Sequence, residues 1–339
     1  MFLALDVLWA IIVRPEYFLA VSGVGGVGGR LWWKSIFLHN MAETVLVLCA
    51  TGKMGLGVAR GLKDKGFDVY GTTRSSSKSP VLTSYGIKPI VANYIVRADV
   101  DRAIAESKAT SVVFLTDFFL AAKKKVAKEY DQGKLVVDAC KDAGVKHTVF
   151  LSVTDPDKVG PKVLHFHAKL QVENYLKASG IQHSILRPCM FFENCDDAAN
   201  YNPLKKGVVK ALTECNSFWI STYDLGKAAA VMLSNKAEWS GKTLSCTSYK
   251  GTVHDVAASL QKVSGVPTKG RLAMPLCARS LFLDDLHHMC LWFENGFQGS
   301  QLSVDDFKKV VPDAMDAEAW FKYHGKYGDN SKIVLNPVA

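Results

Sequence analysis

The sequence lacks the cysteine spacing that metal sites and disulfide frameworks require. Its eight cysteines include no CxxC pair and follow no regular interval, whereas zinc ribbons and disulfide-rich domains need tight, repeated spacings. We therefore expect mostly buried free thiols in a reducing compartment. His287 and His288 have no third ligand at a suitable spacing, so no metal site is expected.

Proline and glycine are also too few for a fibrous or linker-like chain. The 11 prolines and 26 glycines among 339 residues exclude collagen-like and linker-dominated sequence. At 48% hydrophobic and 22% charged residues, the composition predicts a folded core and excludes wholesale disorder. The length allows one large domain or two small ones.

Residues 1–40 are more apolar than the rest of the chain. Their two apolar runs are cut by Asp6 and by Arg14-Pro15-Glu16, and neither reaches the roughly 18 residues of a membrane span. Asp6 also fits poorly with the acid-poor start of a secretory or transit peptide. We interpret this segment as a poorly ordered extension upstream of Met41, with a membrane or organelle anchor as the alternative. A cytoplasmic protein is expected, with nuclear location and organelle targeting left open.

The same segment contains a glycine motif that we reject. Gly23 to Gly28 fits the pattern GxGxxG, but a dinucleotide fingerprint needs a strand before it and a helix after it. The stretch that follows leads directly into a strand at 44–49, which has its own glycine-rich turn.

Strands and helices alternate from residue 43 onwards. Thr44 to Cys49 is a continuous apolar run typical of a strand buried on both faces of a parallel sheet. Further strands are predicted at 67–73, 87–92, 111–115, 148–152 and 181–187, and helices at 100–107, 132–143 and 161–178. This alternation predicts an α/β fold with a doubly wound parallel sheet. The looser pattern after Pro188 predicts a dinucleotide-type domain at 41–190 and a smaller lobe at 191–339 that returns some elements to the sheet.

The turn between the first strand and its helix is rich in glycine. A pyrophosphate binds well at a helix N-terminus, where free N–H groups and the helix dipole favour negative charge. Gly52 and Gly55 would let the backbone approach such a ligand closely. The turn therefore predicts a nucleotide site, with a tight turn that holds no ligand as the alternative.

Arg74 follows the second strand and indicates which nucleotide binds. NAD sites carry an acidic residue there, whereas an arginine accommodates the 2′-phosphate of NADP. No acidic residue lies between positions 69 and 78, and Ser75 and Lys78 would add donors. We predict NADP(H), with a solvated basic loop as the alternative. The net charge of +9 is spread along the chain, so no nucleic-acid binding is expected, and the lysines at 123–125 and 128 are interpreted as a solvated face.

His165 and Lys169 lie on one face of a predicted helix, together with Val172 and Leu176. A lysine on an apolar face is a candidate for holding the nicotinamide ribose. The alternative is an ammonium group that reaches water or pairs with Glu173. His165 is a candidate proton donor, with a hydrogen-bonded structural histidine as the alternative.

These motifs, taken in order, resemble the NmrA-like family of atypical short-chain dehydrogenases/reductases over roughly residues 43–330. The matching segments are Ala50-Thr51-Gly52-x-x-Gly55, Thr73-Arg74, Gln132-Gly133-Lys134, Ala143-Gly144-Val145-Lys146-His147, His165-Phe166-x-x-Lys169, Gly180-Ile181 and Thr222-Tyr223-Asp224-Leu225-Gly226.

The resemblance implies a Rossmann domain that binds NADP(H), with a smaller interleaved C-terminal lobe. The predicted cofactor contacts are Gly52, Lys53, Met54, Gly55, Arg74, Ser75, Lys78, Thr116, Ser152 and Lys169, and the predicted catalytic residues are Lys169 and His165. Two positions depart from the family pattern. Cys49 stands where the family's turn begins with glycine, and His165 stands where the wider superfamily has its catalytic tyrosine, the usual proton donor.

Three functions remain open at this point. The first is a regulator that senses the NADPH/NADP+ ratio and binds a protein partner, with little or no turnover. The second is an NADPH-dependent reductase of a small carbonyl, quinone or enone. The third is an interaction module without a cofactor. A monomer or homodimer is expected.

Overall fold

A computed structural model of the chain describes residues 42–196 and 207–324. The extension at 1–40 and the rejected glycine motif at 23–28 lie outside these residues. The described residues belong to one compact unit, and the division near residue 190 stays a prediction. All eight cysteines are free, and five of them are buried. None of the helices in the described ranges has the length and hydrophobicity needed to cross a membrane.

The strands and helices follow in an order close to the predicted one. The strands are β1 (Thr44–Val47), β2 (Asp68–Thr73), β3 (Lys88–Val91), β4 (Ser111–Leu115), β5 (His147–Leu151), β6 (His183–Pro188), β7 (Met190–Phe191), β8 (Val208–Ala211), β9 (Ser217–Ile220), β10 (Thr243–Cys246), β11 (Tyr249–Gly251) and β12 (Lys269–Leu272). The helices are α1 (Lys53–Asp64), α2 (Ser79–Thr83), α3 (Arg97–Ser107), α4 (Val126–Asp142), α5 (Leu164–Ala178), α6 (Thr222–Ser234), α7 (Lys236–Trp239), α8 (Val253–Ser264), α9 (Leu276–Phe282), α10 (Asp284–Glu294), α11 (Val304–Val310) and α12 (Ala317–His324).

Seven strands form a parallel central sheet in the order β10-β6-β5-β4-β1-β2-β3. This sheet confirms the predicted α/β doubly wound fold. Apolar clusters cover both of its faces, which explains why the strands read as nearly continuous apolar runs. Val45 of β1 lies in register with Val69 of β2 and with Ser111 of β4. The carboxyl ends of these three strands therefore open at one edge, where the strand order reverses and ligands bind in such sheets.

Segments after residue 190 pack into the same layers. Strand β10 pairs with β6 at the edge of the central sheet, and α6 packs closely against α1. A Cβ on Gly61 would lie 2.5 Å from the carbonyl oxygen of Tyr223, and one on Gly226 would lie 2.5 Å from that of Val58. Glycine at both positions therefore lets the two helix backbones approach. A third apolar cluster, around Trp320, fills the space beside two small sheets, β11-β9-β7 and β12-β8.

Two helices start earlier than the sequence pattern predicts. Helix α4 starts at Val126 instead of 132, and α3 starts at Arg97 instead of 100. In both cases the first turn is polar or mixed, so the apolar periodicity begins only one turn later. The lysine run lies in the loop before α4, where Lys123 and Lys124 have φ values of 52° and 59°.

Candidate functional site

The turn after β1 is held tightly against β2. The N–H of Cys49 donates to Oγ1 of Thr72 at 2.8 Å, and the N–H of Ala50 donates to the Thr72 carbonyl at 2.9 Å. Cys49 has a φ of 57°, a left-handed conformation that favours glycine. A Cβ on Gly55 would lie 2.2 Å from the Cys49 carbonyl oxygen, so only glycine fits there.

This turn presents the open end of α1. Gly52 is the N-cap residue and provides no side-chain cap, and the first turn contains no acidic residue. The first backbone hydrogen bond of the helix runs from Leu56 N–H to the Gly52 carbonyl at 2.8 Å. The N–H groups of Lys53, Met54 and Gly55 therefore point out of the helix end, where an anion would complement them.

Arg74 lies close to this turn and forms no ion pair with any of the described residues. It directly follows β2, its side chain is exposed, and its guanidinium makes no hydrogen bond or ion pair within the described residues. Ser75 begins a short 3₁₀ turn that ends at the exposed Lys78. Burial raises the pKa of the Cys49 thiol, and the nearby positive charge of Arg74 partly opposes that increase. Arg74, Ser75 and Lys78 thus follow β2 within five residues, and Arg74 lies close to the glycine turn.

Tyr94 and Asp117 border the same edge of the sheet. The buried hydroxyl of Tyr94 has no hydrogen-bond partner within the described ranges. Burial raises the pKa of this phenol, and Cys49 and Asp117 lie close enough to raise it further, whereas Arg74 lowers it. The loop after β4 is fixed by Gln132, whose Oε1 accepts from Asp117 N–H at 3.0 Å. A buried hydroxyl without a partner in the described residues, close to the glycine turn, is a group that a ligand would satisfy.

Lys169 is held by the buried carboxylate of Glu129. Its Nζ donates to Glu129 Oε1 at 2.6 Å, to Thr116 Oγ1 at 3.2 Å and to the Thr116 carbonyl at 3.1 Å. The side chain of Glu129 is fully buried, and that of Lys169 is 12% exposed. Oε2 of Glu129 has no hydrogen-bond partner in the part of the chain that the structure describes. Lys169 and Thr116 therefore meet at the carboxyl end of β4, and the pairing with Glu173, given above as the alternative for Lys169, is not formed.

Ser152 directly follows β5, beside Thr116 at the same end of the sheet, but its hydroxyl bonds to a different carboxylate. Its hydroxyl donates to Oε1 of Glu173 at 2.6 Å, and Arg187 donates to both oxygens of the same carboxylate at 2.9 and 2.7 Å. Ser152 is 1% exposed. Its role as a cofactor contact stays a prediction, because the hydroxyl is already committed to a buried ionic cluster.

His165 is paired with an acidic residue far along the chain. Its Nδ1 is hydrogen bonded to Oδ2 of Asp285, and Oδ1 of Asp285 accepts from the His165 backbone N–H at 3.1 Å. The rings of Phe119 and Phe166 lie 5.4 and 4.7 Å from the imidazole. Because Asp285 occupies Nδ1, the remaining ring nitrogen, Nε2, is the one available to a ligand.

Four residues of this edge were missed by the sequence predictions: Tyr94, Asp117, Glu129 and Asp285. Asp117 directly follows Thr116, so its position just after β4 could have marked it as a candidate site residue. Glu129 and Asp285 occur in helices where acidic residues usually face solvent, and Tyr94 lies in a loop. No residue cluster within 42–196 and 207–324 is arranged as a metal site.

The reversed strand order, the glycine turn and the cation after β2 define a Rossmann-type α/β protein. The sequence matches the model of one family within that class over residues 41–320. The chain belongs to the NmrA-like family.

Individual relatives match the chain over shorter stretches than the family model does. The chain is 30% identical over 115 residues to prestalk A differentiation protein A of Dictyostelium discoideum, covering 34% of this chain and 35% of that protein. It is 31% identical over 158 residues to the NmrA-like family domain-containing oxidoreductase malD of Malbranchea aurantiaca, covering 44% and 47%. The chain thus spans less than half the length of these two curated relatives.

Solved structures share the fold. NmrA, described as a negative transcriptional regulator in complex with NAD, matches with a TM-score of 0.65 and 18% identity, covering 83% of this chain and 94% of that one. The Escherichia coli NADPH-dependent quinone oxidoreductase QOR2, complexed with NADPH, matches with a TM-score of 0.59 and 21% identity, covering 81% and 97%.

Proposed function

We propose that this protein binds NADP(H) at the edge formed by β1, β2 and β4. The observation that carries the proposal is the unpaired, exposed guanidinium of Arg74 beside the open N-terminus of α1. Amides at residues 53–55 would bind the pyrophosphate, and Gly52 and Gly55 leave room for it. Arg74, Ser75 and Lys78 would bind the 2′-phosphate.

The polar groups around β4 fit the other end of this cofactor. Lys169 and Thr116 lie where the nicotinamide ribose would reach the strand end, and the free oxygen of Glu129 is an acceptor for a ribose hydroxyl. Binding would then exchange part of the Lys169–Glu129 contact for contacts with the ribose. Related structures described as complexes with NADP or NADPH support this assignment.

We propose that the bound cofactor acts mainly as a signal of the NADPH/NADP+ ratio. The usual catalytic tyrosine is absent, whereas Gly52, Gly55 and Arg74, which suit the phosphates, are present. Asp285 of α10 bonds to His165 on the helix that carries Lys169, so a change at the cofactor site can alter contacts with the C-terminal segment. Such a regulator would bind a protein partner.

A second function, NADPH-dependent reduction of a carbonyl, quinone or enone, is favoured by the His165–Asp285 pair. NADPH supplies a hydride when bound. His165 would donate the proton from Nε2 to the substrate oxygen, while Asp285 keeps the ring oriented. Lys169 would hold the cofactor, and solvent would reprotonate the imidazole.

Binding of NADPH, followed by its fluorescence, tests the cofactor proposal. We expect saturable binding that is weakened at least about 100-fold in Arg74→Glu, because a carboxylate would then face the 2′-phosphate. Lys141→Glu is the control, since the exposed Lys141 lies at the end of α4, at the opposite edge of the sheet. Equal affinity in the parent and Arg74→Glu would contradict the phosphate assignment.

Consumption of NADPH with aldehydes, quinones and enones separates the two functions. A turnover of about 1–1000 per second that is lost in Lys169→Ala would identify a reductase. Tight NADPH binding without consumption would support the regulator.

A further inference from the structure

A groove on the C-terminal part of the chain lies outside the cofactor site. It has a volume of about 640 Å³ and lies between α8 and β12. His254, Ala258, Gln261 and Lys262 line one side, and their spacing places them on one face of the helix. Residues 268–271 line the other side.

The lining is basic. His254, Lys262, Lys269 and Arg271 contribute to it, and no lining residue is acidic. The side chains of Lys269 and Arg271 are exposed and form no ion pair or hydrogen bond within the described residues. Within the described residues, Lys262 forms an exposed ion pair with Glu318, and the exposed His254 lies 3.4 Å from a carboxylate oxygen of Glu214. Such surface pairs contribute little stability and exchange readily for another anion.

The floor of the groove is an unpaired strand edge. Strand β12 pairs on one side with β8, and the N–H groups of Lys269 and Ala273 donate to carbonyls on that side. Because alternate amides of a strand point to opposite sides, the N–H groups of Gly270 and Leu272 point away from β8. Neither of them is hydrogen bonded to any residue in the described ranges.

Helix α8 lies close enough to β12 to cover a strand that is added at the free edge of β12. A Cβ on Gly270 would lie 2.7 Å from the carbonyl oxygen of Val253, at the start of α8. Lys269 and Arg271 project from the opposite face of β12. The N–H of Thr268 donates to Oε1 of Gln261 at 3.1 Å and closes one end of the groove.

We propose that this groove binds an extended, acidic peptide segment of a protein partner, which adds as a third strand to β12. Its backbone would pair with the outward groups of Gly270 and Leu272. Its carboxylates would bind Lys269 and Arg271, on the face of the strand that points away from α8. Strand addition of this kind combines main-chain hydrogen bonds with side-chain selectivity. The regulatory meaning of this contact rests on the proposed function, whereas the binding itself does not.

Fluorescence polarisation with the full chain tests the proposal, first without a dinucleotide. The probe is a labelled, acetylated peptide of alternating glutamate and valine, about ten residues long. We expect it to bind, to bind more weakly as salt rises, and to lose at least about 10-fold in affinity in Lys269→Glu/Arg271→Glu. Lys308→Glu/Lys309→Glu on α11 is the control and should bind like the parent. The matching lysine–valine peptide should not bind.

Strand addition is tested by methylating alternate amide nitrogens of the same peptide. This change keeps the charges and removes the main-chain donors on one edge of the peptide, and methylating the set that faces β12 should weaken binding at least about 10-fold. Hydrogen exchange should slow at Gly270 and Leu272 when the unmethylated peptide is bound. Equal binding of the methylated peptide, or tighter binding of a single-stranded oligonucleotide of equal charge, would overturn the proposal. Failure of the peptide to bind a chain that still binds NADPH would overturn this proposal alone.

Discussion

The imidazole of His165 and the carboxylate of Asp285 form a hydrogen-bonded pair that joins α5 to α10. The carboxylate bonds both to the ring and to the backbone N–H of the same histidine. The pair thereby fixes the ring orientation and commits Nδ1, so that Nε2 remains for a ligand. Asp285 also links the C-terminal segment to the helix of Lys169.

Replacing Asp285 with asparagine should change the histidine tautomer. The asparagine amide can donate to Nδ1, which a carboxylate cannot, so the ring proton is expected to move to Nε2. Nitrogen NMR of the imidazole measures this change. We also expect a loss of about 1–2 kcal/mol in the free energy of unfolding, since a bond to a charged group is lost.

The neighbouring residue supplies the control for this variant. The side chain of Asp284 is 77% exposed, and among the described residues its one ion pair is with His288, at 3.3 Å. Asp284→Asn should leave the His165 tautomer unchanged and alter stability by less than about 0.5 kcal/mol. A tautomer that is the same in the parent and Asp285→Asn would contradict the proposed role of Asp285.

Removing the buried carboxylate that holds Lys169 should lower the free energy of unfolding more than removing an exposed carboxylate does. Glu129→Gln leaves an ammonium with little access to water, and we expect the unfolding free energy to fall by about 3 kcal/mol. Glu318 pairs with Lys262 at the same distance of 2.6 Å, but the two side chains are 43% and 70% exposed. Glu318→Gln should therefore cost at most about 1 kcal/mol. Similar losses in both variants, measured by denaturant unfolding, would show that Glu129 is not a structural anchor for Lys169.

Glycine at position 49 should stabilise the turn. Cys49 has a φ of 57°, which costs a residue with a Cβ about 1–3 kcal/mol. The entropy of glycine in the unfolded chain offsets part of this cost, so Cys49→Gly should gain about 1 kcal/mol. The Sγ of Cys49 also lies 3.6 Å from the position that a Cβ on Gly52 would occupy. Removing this sulfur enlarges the proposed pyrophosphate site and should tighten NADPH binding.

The comparison for this variant is Cys49→Ala, which removes the thiol but keeps the Cβ. Alanine should show no gain in stability, because the backbone conformation still disfavours it. Thermal unfolding of the two variants side by side measures the difference. A glycine variant no more stable than the alanine variant would show that the turn is not strained.

His147 should make the protein less stable in mild acid. It is fully buried in β5, and its Nε2 donates to Ser184 Oγ at 2.8 Å, since the Ser184 proton goes to the Trp239 carbonyl. Burial lowers its pKa from 6.5 to about 4. Between these values the unfolded chain binds a proton that the folded chain does not, so stability falls as pH falls. We expect a loss of up to about 3 kcal/mol between pH 7 and 4.

Denaturant unfolding at several pH values tests this dependence. His147→Gln should lose that part of the pH dependence, whereas His254→Gln, at an exposed position, should keep it. An identical pH profile in the parent and His147→Gln would contradict the assignment of His147 as a buried neutral histidine.

The sequence predicts the central sheet well because the strands are apolar on both faces. Strand β4 is observed at Ser111–Leu115, the predicted range, and Arg74 lies directly after β2. These features are local: a run of apolar residues, a glycine turn and a strand end. Local patterns specify which residues reach the carboxyl edge of a parallel sheet.

The partners of Lys169 and His165 could not be predicted in this way. Glu173 lies one helical turn from Lys169, yet Glu129 holds the ammonium because α4 packs beside α5. A Cβ on Gly133 would lie 2.4 Å from Val172 Cγ1, so glycine sets how closely these helices approach. Asp285 lies 120 positions from His165, and no periodicity connects residues that far apart. Such pairs depend on tertiary packing.

The most direct measurement is the ratio of NADPH to NADH affinity in the parent protein and in Arg74→Asp, determined by calorimetric titration. We expect the parent to prefer NADPH, and the variant to prefer NADH, because an aspartate at the end of β2 would accept a ribose hydroxyl and repel the 2′-phosphate. A parent that binds neither dinucleotide, or a ratio that the substitution leaves unchanged, would contradict the assignment of this edge as the NADP(H) site.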